Sequence, residues 1–422
     1  MPNAASKLKW NNETVFRVML WTFAGMLLAY AAVPIANALL GESIKDNALW
    51  FATGQQVLRG EQIYPEGGQQ FPFMYPPTAA LLLAPVSLLG QTGLVVALVL
   101  LNIVAWIASI LLSARLATGS WQRQSLLVYA IPNVLISVYA WSNFHLAQPS
   151  LLLLALMLGA FVALQQKRPT IAGALLALAA AIKAFPFLAI FYLIARRQWL
   201  AIASLVLTLA FLLLALPAPF RGVAQTRADL QRWTNGMLLK YDDKGVAQRP
   251  GRSHSWRNQS IVGVANRLLR PVDADYQDFA HTPIYVNVAD LSFSAVNRII
   301  LGTGLALGLI YLGVMPRRAQ RTRETDALEF ALFLLLLLLF TPLSFGYLFA
   351  SLLFPFTVIV CRLQAEPNRR LLAFSIASVA LLALTIPFQK MAQASGNTAL
   401  ATLILFCALA LELRDAKRAF EK

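Results

Sequence analysis

The sequence predicts an all-α, polytopic transmembrane protein, and three observations carry that expectation. Of its 422 residues, 58% are hydrophobic and only 13% are charged, against a charged share of ~25% in soluble domains. The charges fall in short clusters between long apolar runs. The basic clusters also alternate with the runs in an order that can be threaded through a bilayer. A hydrocarbon core of ~30 Å needs ~20 apolar residues per helix, so the chain has length for about 10–12 membrane helices in a single domain, residues 1–422.

The formal net charge of +16 would suggest nucleic acid in a soluble protein. In a membrane protein it follows from the enrichment of Lys and Arg in cytoplasmic loops. With no nucleic-acid-binding module visible, no nucleic acid is expected as a partner. Cys361 and Cys407 lie in or at the end of apolar runs and read as packing residues. His145, His254 and His281 lack metal-ligand spacing, so neither a disulfide framework nor a metal site is expected.

Lys7, Lys9 and Arg17 precede the first apolar run, which is too long for a secretory leader and is followed by many more. It reads as a retained helix. Let the clusters at Lys7/Lys9, Arg115/Arg123, Lys167/Arg168, Arg196/Arg197, Arg317 to Arg323, Arg369/Arg370 and Lys417/Arg418 all be cytoplasmic. Val15 to Leu40 then runs outward. Tyr75 to Leu89 is too short and proline-rich for a span. Gly93 to Ala114 returns, Ser125 to Ala140 runs out, and Leu146 to Leu164 comes back. Ile171 to Ile194 begins and ends beside basic clusters. It must be a broken hairpin, with the break at Lys183-Ala184-Phe185-Pro186, because proline removes a helix donor and clashes with the preceding turn. Leu200 to Leu216 runs out and Ala295 to Val314 returns. Leu328 to Phe340 pairs with Tyr347 to Cys361, and Leu371 to Phe388 with Thr398 to Leu411. Both termini come out cytoplasmic. The exterior segments are 41–74, 141–149, the long loop 217–291, 341–346 and 389–397.

The polar residues of interest gather on that exterior face. In the first loop, Asp46 heads a stretch whose Leu49, Trp50, Val57 and Leu58 suggest a short interfacial helix, with Trp50 and Phe51 at headgroup depth. Asp46 alone would read equally as a helix cap. Tyr64 and the Tyr75-Pro76-Pro77 turn follow. The second loop carries Asn143, His145 and Gln148. Lys183 is an ionisable residue in an apolar hairpin, which is costly and a functional candidate by default. The long loop carries Arg257-Asn258-Gln259-Ser260 and Arg267, and the late turn runs from Thr341 to Tyr347.

In this order the motifs resemble glycosyltransferase family 87, the polyprenyl-phosphate-mannose-dependent mannosyltransferases of the multi-span GT-C class. The resemblance runs from about Asp46 to Tyr347. It rests on Asp46, Leu58-x-Gly60, Ile63-Tyr64, Tyr75-Pro76-Pro77, Ala147-Gln148, Ile182-Lys183…Pro186, Asn258-Gln259-Ser260 and Thr341-Pro342-Leu343-Ser344-Phe345. Three features depart from the family pattern: Ala147 stands for its glycine, Pro149-Ser150 replaces the Asn often found just after Gln148, and Tyr347 stands for a histidine. The resemblance implies a multi-pass protein of the bacterial plasma membrane whose active site faces the periplasm. It also implies Asp46 as general base, a polyprenyl-phosphate-linked sugar donor and a glycolipid or glycan acceptor.

Sugar transfer passes through an oxocarbenium-like transition state. The acceptor hydroxyl must lose a proton, which one carboxylate can take. The leaving phosphate needs fixed cations, for which Lys183 and Arg257 are the candidates, with Arg267 behind them. Tyr64, Tyr75, Gln148, Asn258, Gln259 and Tyr347 complete the expected substrate-binding set. No glycine-rich phosphate loop is visible, the first loop carries no clear Asp-x-Asp pair, and Asp242-Asp243 reads as a solvated loop pair. No cofactor or metal is therefore expected. Two other readings stay open on sequence alone. A lipid or solute transporter or flippase could also use a broken helix with a lysine. An inactive scaffold of an envelope-assembly complex would fit the departures at Ala147 and Tyr347.

Overall fold

A computed structural model describes residues 12–42, 45–65, 72–239, 254–275 and 282–419. Lys7, Lys9, the Asp242-Asp243 pair and His281 lie outside the described residues. Within them the chain is helical throughout, with no β-strand. Among the described residues, six helices are long and apolar enough to cross a membrane alone: Glu13–Leu39, Gly90–Thr118, Leu126–His145, Trp199–Arg221, Phe293–Val314 and Gly346–Ala365. Between them pack shorter apolar helices, Pro77–Ser87, Ser150–Gln165, Pro169–Ile182 and Phe185–Ala195. The polytopic helical architecture is borne out.

Side-chain contacts sort the bundle into two ends. At one, Arg123 pairs with Glu13 at 2.7 Å, Arg362 with Glu324 at 3.1 Å and Arg370 with Asp415 at 2.6 Å. Arg196 donates to the Pro316 carbonyl at 2.9 Å, and Lys417 to the Gly313 carbonyl at 3.0 Å. This basic end thus gathers clusters that the charge pattern placed on one face. Both described chain ends lie here, so the passages between the ends are even in number. The segments expected to be exterior meet at the opposite end.

The core near the basic end is aromatic. Phe161 and Phe330 stack with ring centroids 4.1 Å apart, and Tyr192 packs edge-on against Phe330. Arg196 and Glu329 form an almost fully buried ion pair beside them, which ties the Phe185–Ala195 arm to the Arg323–Phe340 helix.

The broken hairpin follows directly from its proline. In a continuing helix, the Pro186 ring would meet the carbonyl four residues back, and the helix ends at that residue, Ile182. Lys183 takes an extended conformation, a short 3₁₀ turn spans Phe185–Leu188, and the chain descends. The ascending arm is alanine-rich and packs closely on the Trp199–Ala210 helix. A Cβ at Gly173 would collide with the Ala201 carbonyl, so the missing side chain is what permits the approach.

The first-loop helix, Lys45–Leu58, is present. Trp50 and Val57 are buried in the protein, while Leu58 is exposed. The apolar face turns onto the Pro77–Ser87 helix, where Gln55 Nε2 donates to the Ser87 carbonyl at 3.1 Å. Tertiary packing offers the indole more burial there than an interface would.

Removing one member of a buried ion pair leaves an uncompensated charge, at a cost of about 3–5 kcal/mol. Glu329→Ala should therefore lower the thermal unfolding midpoint in detergent markedly. Glu61→Gln, which breaks the exposed contact with Arg59, should leave the midpoint unchanged.

Candidate active site

Asp46 lies in the first turn of the first-loop helix and is partly exposed. Gln148 Nε2 donates to Asp46 Oδ2 at 2.8 Å across 102 residues of sequence. The Gln148 Oε1 in turn accepts from the Tyr75 hydroxyl at 2.7 Å. An ionised carboxylate only accepts, so it fixes the amide orientation, and the amide fixes the direction of the phenol. Tyr64 is buried and donates its hydroxyl to the Tyr75 carbonyl at 2.6 Å. Burial holds the Tyr64 phenol well above the ordinary tyrosine range, with the nearby Asp229 charge adding to the effect. It therefore stays a donor. Trp50 packs against the Tyr75 ring at 4.6 Å between centroids.

Lys183 reaches the same place from the hairpin tip. Its ammonium lies 5.2 Å from the Tyr75 ring centroid and 4.8 Å from that of Tyr347. Two π faces stabilise a cation without neutralising it, and the Tyr75 ring that faces the ammonium is tied to Asp46 through Gln148. Tyr347 is held by Asn143, whose Nδ2 donates to the Tyr347 carbonyl at 2.9 Å. The structure thus brings together Asp46, Gln148, Tyr75, Tyr64, Lys183 and Tyr347.

The other expected residues lie elsewhere. Asn258 and Gln259 are fully buried. Asn258 Nδ2 donates to the Pro342 carbonyl at 2.8 Å, and its Oδ1 accepts from the Ser344 amide at 2.9 Å. Gln259 Nε2 donates to the carbonyls of Trp256 and Gln393, at 2.8 and 2.7 Å. Both side chains stitch the long loop to the late turn and the last loop, one layer behind the open group. Arg257 is exposed, with its guanidinium 4.8 Å from the Trp256 ring centroid.

Arg267 is corrected as a phosphate ligand. It is fully buried and donates to the backbone carbonyls of Ala394, Ser255, Asn258 and Gln393 at 2.7 to 3.0 Å. Burial lowers its pKa to about 9. Its donors are used as an internal brace.

The sequence reading passed over two supports. Asn143 was visible as a polar residue in the second loop, but nothing local pointed it at Tyr347. Arg221 and Asp229 form a buried pair at 2.8 Å, and Arg221 also donates to the Glu61 carbonyl at 2.8 Å. This clamps the Val223–Trp233 helix over the first loop. Trp233 adds a bond to the Met74 carbonyl at 3.1 Å.

Ala147 has φ +49°. This left-handed backbone lets the chain turn so that Gln148 faces Asp46, and it costs a residue with a Cβ roughly 1–2 kcal/mol. The glycine implied by the family resemblance would adopt it freely. Ala147→Gly should therefore raise the thermal unfolding midpoint by a few degrees, whereas Ala147→Val should lower it. Differential scanning fluorimetry in detergent reads both.

No curated protein and no solved structure matches the chain significantly. The model for glycosyltransferase family 87 matches residues 73–342, more than half of the 422. It covers the Tyr75, Gln148, Lys183 and Asn258-Gln259 positions. A helical membrane protein with these residues folded onto one end, and with that match along its middle, belongs to glycosyltransferase family 87.

Proposed function

We propose that this membrane glycosyltransferase moves a hexose, mannose by the family's usage, from a polyprenyl-phosphate donor to a hydroxyl of a glycolipid or glycan acceptor. The reaction takes place on the non-cytoplasmic side of a bacterial plasma membrane. The observation that carries this reading is the pairing of an oriented carboxylate, Asp46 held by Gln148, with the Lys183 cation between Tyr75 and Tyr347.

In this reading Gln148 occupies Asp46 Oδ2 and leaves Oδ1 to accept the proton of the incoming hydroxyl. The acceptor oxygen bonds to the anomeric carbon as the bond from that carbon to the phosphate oxygen breaks. The electron pair leaves with the phosphate, whose growing charge Lys183 meets from the hairpin tip. Tyr75 links the two halves: its hydroxyl orients the base through Gln148 and its ring seats the cation. Asn258 and Gln259 act as positioning residues, holding the late turn that carries Tyr347.

The sidedness rests on the charge pattern. The basic clusters meet at the end away from this site, and such clusters mark cytoplasmic loops. A transporter would need the site reachable from both ends. The core beyond the hairpin, toward the basic end, is filled by Phe161, Tyr192, Phe330 and Phe333, which favours one-sided chemistry.

Asp46→Asn keeps the shape and the contact with Gln148 but removes the base. Transfer of radiolabelled mannose from polyprenyl-phosphate-mannose to a host lipid extract, in proteoliposomes, should fall about 10²- to 10⁴-fold with the unfolding midpoint unchanged. Undiminished transfer by Asp46→Asn would remove Asp46 from the chemistry. Donor movement between leaflets without any transfer by the wild type would favour a flippase. Lys183→Met should raise KM for the donor and lower kcat, since it removes the charge that meets the phosphate.

A further inference from the structure

The basic end holds a second group of charges that the glycosyl-transfer reading does not use. Around the junction of the Gly90–Thr118 and Arg323–Phe340 helices, most cations have carboxylate partners. Arg123 pairs with Glu13, Arg321 with Asp326, and Arg362 with Glu324 and Glu412. Among the described residues, Arg115 and Arg323 have no ion pair. Arg115 Nε and Nη1 are buried with no hydrogen-bond acceptor, and its guanidinium lies 5.6 Å from the ring centroid of Trp121.

The two arginines are neighbours. The Gly119 amide bonds the Arg115 carbonyl at 2.9 Å. The Arg323 side chain lies against Gly119, with Nη1 only 3.2 Å from where a Cβ would stand. The left-handed Gly119, φ +74°, therefore admits Arg323 beside the last turn that carries Arg115. Arg323 is also the first residue of an 18-residue helix, whose Thr325 amide is capped by Thr322 and whose first-turn Glu324 and Asp326 are each already paired with another arginine. Trp121 is 62% exposed at the end of a span, the depth at which tryptophan sits among lipid headgroups.

Buried N–H groups without acceptors are costly, and among the described residues neither arginine has a carboxylate partner. A phosphate relieves both, because its oxygens accept from the planar fork of each arginine. We propose that Arg115, Arg323 and Trp121 form a seat for the phosphate of an anionic lipid headgroup at the basic end of the bundle. Basic pockets between membrane helices are suited to such headgroups, and the indole beside the guanidinium favours a ligand with an apolar body over a free ion. The seat stands apart from Asp46 and Lys183 and does not depend on the transfer chemistry.

The test measures the thermal unfolding midpoint of the full chain in mixed micelles. The micelles carry phosphatidylglycerol, phosphatidylcholine, or phosphatidylcholine with added inorganic phosphate. For the wild type, phosphatidylglycerol should raise the midpoint by several degrees over phosphatidylcholine, and inorganic phosphate should not. Arg323→Gln, an exposed position, should lose most of that rise, and Arg115→Gln with Arg323→Gln all of it. Arg168→Gln with Arg318→Gln removes the same charge from exposed sites at this end and should keep the rise. An equal loss in both double variants would overturn the seat in favour of diffuse attraction. A rise produced equally by inorganic phosphate would overturn the lipid assignment. No difference between the two lipids for the wild type would overturn the proposal altogether.

Discussion

A lysine ammonium at the tip of an apolar hairpin is the constraint around which the site end is organised. Lys183 sits where Pro186 stops a helix at Ile182, among side chains that offer it little solvation. A cation in that position needs polarisable or charged company. Tyr75 and Tyr347 supply two ring faces, and Asp46 is tied to the first of them through Gln148. Three segments distant in sequence must therefore converge on one point, and the remaining loops are arranged to hold them there.

Much of that holding is done by side chain to backbone bonds. Asn143 grips the Tyr347 carbonyl, Tyr64 the Tyr75 carbonyl, and Asn258 the Pro342 carbonyl and the Ser344 amide. Arg267 gathers four carbonyls from two segments behind them. Loops have few ladder bonds of their own, and their buried backbone groups need partners. Amide and guanidinium side chains meet that need and set loop geometry at the same time. This explains why residues such as Asn258 and Gln259 stand out in the sequence although they are sealed from any ligand.

The two ends of the molecule are built on different physics. The site end is polar, with Asp46 and Lys183 partly exposed. The basic end combines buried aromatic packing with ion pairs, of which Arg196 with Glu329 is the most enclosed. That pair anchors the arm that descends from Lys183. The base of the hairpin is thus fastened, while its tip faces the reacting groups.

The sequence by itself determined the helical membrane architecture, the break at Lys183-Pro186 and the sorting of the polar segments to one end. Each follows from local quantities: the length of apolar runs, the missing donor of a proline, and the sign of charge in loops. The left-handed turn at Ala147 was legible only as a departure from a glycine, and its geometry explains that glycine. Only the tertiary structure decided which polar residues are open and which are internal braces. Arg257 and Arg267 look alike in sequence, yet one is exposed and the other is enclosed by carbonyls. Trp50 looked interfacial and is buried. The reason is physical. Burial and hydrogen-bond partnership depend on neighbours such as Gln148 and Asp46, 102 residues apart, or Asn143 and Tyr347, 204 apart. Periodicity and composition carry no record of such pairs.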